Sequence, residues 1–214
     1  MSDIIIVSPR ATLARLFALA KGLDFWQSIG TTLGRVMLGF VLALCAGVLI
    51  SALCAKLRAF HALISPAINV LNAVPIASFT LLALMAFHPS NLSVFIAFVT
   101  VLPIIFYNTL KGIQSTEPKL LEMATLFKVP LHKKIYFIYF KTVRPYVASA
   151  ASSAIGFAWK SGVAAELIGI VRGTIGANLH TARIFLNTAD LFAWTITIIL
   201  LSYLTERVFR FVFR

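Results

Sequence analysis

The sequence predicts an all-α membrane protein, a polytopic bundle of about five transmembrane helices. Its 214 residues are 60% hydrophobic and only 12% charged, whereas about a quarter of the residues in a soluble domain are charged. The block from Ala59 to Leu110 contains no Asp, Glu, Lys or Arg, and the apolar runs lack the alternation of barrel strands. Lipid is therefore the expected solvent, and helices are expected to cross it.

The first 28 residues are expected to form a separate N-terminal segment. Its stretch "SPRATLARLFALAKGLDFW" predicts an amphipathic helix that lies at the membrane interface. Ser8 is suited to the N-cap of this helix and Pro9 to its first helical position. Residues 29–214 are then the transmembrane domain.

Five runs in this domain are long enough to cross a bilayer, which takes about 20 mostly apolar residues. The uncharged block holds two of them, divided at the predicted turn "HPSN". Pro66 and Pro75 predict that the first of these two is kinked or broken. In order, the runs are Leu33–Ala55, the two halves of Ala59–Leu110, Tyr146–Val171 and Asn187–Tyr203.

The basic residues are divided unevenly between the two sides of the predicted bundle. Twelve of the 19 Lys and Arg fall after the first run, between residues 111 and 144, or after the last run. The positive-inside rule places that side in the cytoplasm. The N-terminus is therefore expected outside and the C-terminus in the cytoplasm. Because these charges lie between apolar runs and not on a soluble face, nucleic acid is not an expected partner.

The densest basic stretch, Leu120–Pro145, carries five Lys or Arg and one acid. Pro118 is suited to open a short helix there. Leu120, Ala124 and Phe127 form one apolar stripe along that helix, and Pro130 ends it. Judged from the residues alone, the stripe fits a docking site for a protein partner and a helix on lipid headgroups equally well.

Within this stretch, "PKLLEMATLFKVP" resembles the EAA loop of ABC-importer permeases, in which Glu-Ala-Ala is followed after three residues by Gly. Glu122 and Ala124 match the motif, Met123 replaces an Ala, and Lys128 stands where Gly is usual. Three further blocks resemble the importers of aliphatic sulfonates, nitrate and taurine. They are "WQSIGTTLGRVMLGFVLAL", "NAVPIASF" and "AWKSGVAAELIG".

The resemblance implies a type I ABC importer permease of the bacterial inner membrane. The loop at 112–145 would contain the coupling helix, which docks on a cytoplasmic ATPase dimer. A second permease copy and an extracytoplasmic binding protein would complete the complex, and a small organic anion such as a sulfonate would be the substrate. The residues that the resemblance implies for coupling are Leu120, Glu122, Met123, Ala124, Phe127 and Lys128.

No catalytic residue, metal site or cofactor is predicted in this chain. Its closest approach to a P-loop, "GFAWKS", lacks the Gly before the Lys, and its four His show no metal-ligand spacing. ATP hydrolysis, with ATP and Mg²⁺, is therefore expected on the partner ATPase.

Two charges inside the fourth run, Lys160 and Glu166, are candidates for the translocation pathway. A charge at this depth usually faces a bundle interior or water. Six helical residues separate the two by about 120°, so an ion pair within the helix is unfavourable. Asn72 and Trp159 are candidates for the same pathway, although interhelical packing explains either equally well. The alternative function is a non-transporting membrane scaffold or assembly factor with a docking helix, and the intramembrane charges favour transport.

Overall fold

In the computed structural model, which describes residues 7–212, every regular element is helical. In chain order the elements are α1 (Pro9–Ala20), α2 (Leu23–Lys56), α3 (Arg58–Ala73), α4 (Ile76–Ala86), α5 (Pro89–Gln114), α6 (Pro118–Leu126), α7 (Leu131–Lys134), a π-helix (Ile135–Tyr139), α8 (Phe140–Gly169), α9 (Ile175–Ile184) and α10 (Thr188–Val212).

Prolines and caps start several helices where the sequence predicts them. The Ser8 hydroxyl accepts a hydrogen bond from the Ala11 N–H at 3.3 Å, and Pro9 occupies the first turn of α1. Pro89 and Pro118 begin α5 and α6 in the same way. A proline fits this position because its missing N–H would have no partner inside the helix.

α2 and α5 form a closely packed parallel pair at the centre of the bundle. A Cβ on Gly39 would stand 2.4 Å from the Val94 carbonyl oxygen, and a Cβ on Gly47 would stand 2.8 Å from the Ile105 side chain. Small residues allow this approach of two helices in a membrane. Because both contacts advance in the same chain direction, α2 and α5 run parallel.

α8 packs antiparallel to α5 along most of the length of α5. At one end, a Cβ on Gly112 would lie 3.0 Å from the Cβ of Tyr146. At the other end, a Cβ on Gly162 would lie 3.2 Å from the Ser93 hydroxyl oxygen. The helices α2, α5 and α8 therefore form the core of the fold.

The pair α3 and α4 is a broken span. The two helices meet at an angle of 108°. The break falls at Pro75, the N-cap of α4, as the sequence predicts, whereas Pro66 lies inside α3. Because α2 and α5 are parallel, the chain must return from the C-terminal end of α2 to the N-terminal end of α5, and this pair carries it back.

The number of apolar spans is smaller than predicted. Among residues 7–212, only α2, α5 and α10 are long and apolar enough by themselves to cross a membrane, and the bent pair α3–α4 makes a fourth if it is counted as one span. The predicted span Tyr146–Val171 lies in α8, which has 30 residues but is too polar for that criterion. α8 nevertheless passes through the bundle beside α5, and neighbouring helices cover one of its sides, which includes Ser161 and Glu166. α2 begins at Leu23, so the predicted boundary between residues 28 and 29 lies within it.

α1 is attached to the start of α10 at one end of the bundle. Arg15 forms an ion pair with Asp190, and its Nη2 donates to the Asp190 Oδ2 at 3.1 Å. This hydrogen bond raises the pKa of Arg15 above its ordinary value. We call this the α1 end, and the opposite end, where α5 leads into α6, the α6 end.

Candidate functional site

Lys160 lies on an uncovered face of α8. Its side chain is exposed, and its Nζ stands 5.7 Å from the centroid of the half-exposed Phe157 ring. The two residues share one face because they are three positions apart on a helix. No carboxylate forms an ion pair with Lys160 among residues 7–212. The ammonium group is therefore available to a ligand or to water.

Asn72 approaches the same face through a cavity of about 340 Å³. The cavity lies where the α3–α4 break meets α5 and α8, and its wall includes Asn72, Thr100 and Phe157 among apolar side chains. Phe157 thus links the two pathway candidates, because it borders the cavity on one side and lies beneath the Lys160 ammonium on the other. Its position three residues before Lys160 is the sequence signal that could have identified it.

Trp159 packs inside the chain. It is fully buried, and its Nε1 donates a hydrogen bond to the Thr205 hydroxyl of α10 at 2.9 Å. Of the two interpretations that the sequence leaves open for this residue, its position favours interhelical packing. It does not share the exposed face of Lys160.

Glu166 is fully buried and joins three helices. Its Oε2 accepts a hydrogen bond from the Thr32 hydroxyl of α2 at 2.8 Å and from the Gly176 N–H of α9 at 3.4 Å. The Thr32 hydroxyl oxygen also accepts the Ile175 N–H at 3.0 Å. The carboxylate therefore lies at the N-terminus of α9, where a helix favours negative charge. We call Thr32, Glu166 and Gly176 the Glu166 clamp.

Arg35 extends this polar cluster within α2. It follows Thr32 by three residues, so the two share one helix face. One atom of each, the Arg35 Nη1 and the Glu166 Oε1, is buried without a hydrogen-bond partner in the described chain. Arg35 is a partial sequence signal for this cluster, since a charge within an apolar run requires a partner or water.

The coupling candidates on α6 are divided between an exposed and a buried side. The exposed side carries Leu120, Met123 and Phe127. It also carries Leu126, which is not part of the stripe predicted from the sequence and which exposes 80% of its surface. Ala124 is buried. The predicted stripe is corrected accordingly: Ala124 does not belong to the exposed face. We call Leu120, Met123, Leu126 and Phe127 the docking face. α6 makes no extensive contact with another helix in residues 7–212.

Lys128 ends α6 in a left-handed conformation, with a φ of 50°. Its N–H bonds to the Thr125 carbonyl at 3.0 Å, and the Val129 N–H bonds to the Ala124 carbonyl at 2.9 Å. These two bonds form a Schellman motif. Lys128 thus adopts the conformation for which Gly is best suited, at a cost of about 1 kcal/mol. Glu122 is exposed near the middle of the helix.

Three curated relatives are similar to this chain. The nitrate import permease protein NrtB of Synechococcus elongatus is 31% identical over 150 residues, which are 70% of this chain and 53% of that protein. The putative aliphatic sulfonates transport permease protein SsuC of Bacillus subtilis is 28% identical over 178 residues, which are 82% of this chain and 64% of that protein. The taurine transport system permease protein TauC of Escherichia coli is 22% identical over 212 residues, which are 96% of this chain and 77% of that protein. The matched residues thus span less than two thirds of the length of NrtB and of SsuC.

The fold is also that of a solved transporter. A crystal structure described as an amino acid ABC transporter with histidines superposes with a TM-score of 0.68 at 15% identity, covering 97% of both chains. This likeness identifies the type I importer permease fold. Residues 47–214 match the family described as the inner membrane component of binding-protein-dependent transport systems. Because that match covers most of the sequence, the chain belongs to this family of inner membrane components.

Proposed function

We propose that this chain is the transmembrane permease subunit of an ABC importer. The observation that carries the proposal is α6, a short helix at one end of the bundle that exposes four large apolar side chains and makes no extensive contact with another helix in residues 7–212. An apolar face of this kind indicates an interaction surface. Membership in a transport family favours a coupling role for it over a scaffold without transport.

In the proposed complex, the docking face binds a cytoplasmic ATPase, which holds ATP and Mg²⁺ and performs hydrolysis. Two ATPase subunits engage two copies of this chain, and an extracytoplasmic binding protein delivers the substrate. Closure of the ATPase dimer moves α6, and the bundle changes its opening from one side of the membrane to the other. The uncovered face of Lys160 and Asn72 then lies along the pathway between the two copies.

The proposed orientation puts the α6 end in the cytoplasm. That end carries the basic residues of the 111–144 segment, together with those that follow α2 and those near the end of α10. The positive-inside rule favours this arrangement, which leaves the N-terminus outside and the C-terminus in the cytoplasm. A cytoplasm-active reporter is expected to work after Arg214 and to fail at Met1.

The proposed substrate is a small organic anion such as a sulfonate. The three relatives described above are named for nitrate, aliphatic sulfonates and taurine. Lys160 favours an anionic substrate. Its ammonium group is exposed within the length of α8 and has no carboxylate partner in the described chain.

The docking face is tested by the double variant Met123→Asp/Leu126→Asp. Two carboxylates on an apolar contact are expected to lower co-purification of the cognate ATPase at least tenfold, because each would be buried without a partner. The measurement is the ratio of ATPase to permease after affinity purification of the complex. Ala124→Asp is unsuitable, since Ala124 is buried and the change would disturb α6 itself.

A matched control is Leu13→Asp/Phe17→Asp in α1, which adds two acids to exposed apolar positions at the opposite end of the chain. It is expected to leave ATPase co-purification unchanged. If the α6 variant binds ATPase as well as the wild type does, the assignment of the docking face is wrong.

A further inference from the structure

A second apolar surface is exposed between α6 and the core of α8. Leu131, Ile135, Tyr136, Phe137 and Phe140 each expose between 52% and 65% of their surface. The Tyr136 and Phe140 rings are parallel, with centroids 6.1 Å apart. No residue of the π-helix is buried, and its contacts within residues 7–212 are mainly with α7 and α8. We call these five residues the aromatic surface.

Positive charge borders the aromatic surface at both ends. Lys133 and Lys134 precede the π-helix, Lys141 follows it, and the sequence has no acid between Glu122 and Glu166. The Lys134 ammonium donates to the Thr125 hydroxyl at 3.0 Å. Neither Lys133 nor Lys141 has a carboxylate partner in the part of the chain that the structure describes. Apolar area and uncompensated positive charge thus lie side by side.

The aromatic surface lies where the chain enters the bundle. Its last member, Phe140, is the first residue of α8, and Tyr146, about one and a half turns further along, already contacts α5 at Gly112. We expect this level to lie near the boundary between the membrane and water, because α8 enters the bundle here. Aromatic rings and Lys side chains are enriched at that boundary, because the rings favour the headgroup region and the ammonium groups favour anionic headgroups.

We propose that the aromatic surface, together with Lys133 and Lys141, binds anionic phospholipid. The rings of Tyr136, Phe137 and Phe140 contact the upper acyl chains, and the two ammonium groups contact the lipid phosphate. A zwitterionic lipid would cover the rings equally well but would leave the two charges only partly compensated. This inference does not depend on the docking face and holds for either orientation of the chain.

The test uses the full chain purified in detergent, with bound lipid counted by native mass spectrometry after addition of phosphatidylglycerol or phosphatidylcholine. The wild type is expected to retain more phosphatidylglycerol. Lys133→Gln/Lys141→Gln is expected to lower phosphatidylglycerol binding at least about fivefold, because each Lys near the surface contributes to the attraction of anionic lipid. Binding of phosphatidylcholine is expected to stay unchanged. Tyr136→Ser/Phe140→Ser is expected to lower the binding of both lipids.

The matched control is Lys111→Gln/Lys119→Gln, which removes two exposed lysines near the α6 end but outside the aromatic surface. It is expected to lower phosphatidylglycerol binding less than Lys133→Gln/Lys141→Gln does and to leave phosphatidylcholine binding unchanged. Equal losses in the two lysine variants would mean a general effect of net charge and would overturn the proposal. Unchanged phosphatidylglycerol binding in Lys133→Gln/Lys141→Gln would overturn it as well.

Discussion

Along α8, Lys160 and Glu166 lie less than two turns apart, and the chain surrounds them differently. The Lys160 side is open: its ammonium group stands over Phe157 beside a cavity that Asn72 also lines. The Glu166 side is closed by α2 and α9, whose Thr32 hydroxyl and Gly176 N–H donate to the carboxylate. α8 thus carries one ionisable side chain that is exposed, Lys160, and one that is buried, Glu166.

The difference between these two sides shows that an intramembrane charge does not by itself mark a pathway. What matters is whether the hydrogen-bonding capacity of the charge is used within the chain. The Glu166 Oε2 accepts two hydrogen bonds that join three helices, whereas its Oε1 has no partner in the described chain. Because the side chain is buried in this contact, its main effect is expected on stability. Lys160 has no such partner in the described chain, so its main effect is expected on ligand binding or transport.

The largest effect is expected from Glu166→Leu. It removes the acceptor of two buried donors, and each unsatisfied donor costs about 1 to 3 kcal/mol. We expect the free energy of unfolding in detergent to fall by about 3 kcal/mol. Glu166→Gln keeps one carbonyl acceptor and should lose about 1 kcal/mol. Glu122→Leu, at an exposed position of α6, is the control and should change stability little. If Glu166→Leu left the free energy of unfolding unchanged, the distinction between a closed Glu166 side and an open Lys160 side would be wrong.

A smaller effect is expected from Gly176→Ala, which tests how tightly the closed side is packed. The added Cβ would stand 2.3 Å from the Glu166 Cβ and 2.6 Å from the Leu167 backbone nitrogen. α9 must therefore move away from α8, at a cost of about 2 kcal/mol in stability. Gly156→Ala in α8 is the matched control, because its Cβ would meet nothing within 4 Å. Equal melting temperatures for the two variants would contradict the close contact.

The smallest effect on stability, and the largest on transport, is expected from Lys160→Met. This change keeps the length of the side chain and removes its charge. We expect a stability change within about 0.5 kcal/mol, as for other exposed positions, together with reduced uptake of an anionic substrate in vesicles containing the assembled importer. Lys56→Met, at the exposed end of α2, serves as the control. Unchanged transport with raised stability would make Lys160 a tolerated structural charge.

Much of the fold was accessible from local sequence signals. Pro9, Pro89 and Pro118 start helices because of their fixed φ, and the chain breaks at Pro75 for the same reason. The polarity of α8 was a poor guide to whether this helix crosses the membrane. A helix that is packed against other helices can hold polar side chains that lipid would not tolerate. The Glu166 clamp could not be predicted from local sequence signals, because its partner Thr32 is 134 residues away in the chain.

The docking face illustrates the limit of helical periodicity. Residues three and four positions apart both share a face, so Leu120 and Phe127 are compatible with a stripe through Met123 or one through Ala124. Only the fold decides between them, and it buries Ala124 while exposing Met123. The conformation of Lys128 was likewise open, because a non-glycine residue can avoid the left-handed region by a different turn. Here it adopts that region.

The contact between α2 and α5 determines which parts of the bundle are able to move independently. With the Val94 carbonyl 2.4 Å from the position of a Cβ on Gly39, the two backbones leave no space for one helix to slide along the other. α8 is similarly close at Gly112 and Gly162, so we expect the three helices to rotate as one rigid body. The break at Pro75 is then the hinge, because no helical hydrogen-bond ladder continues across it. We therefore expect a movement of α5 at the α6 end to be transmitted through the three packed helices to the opposite end of the bundle.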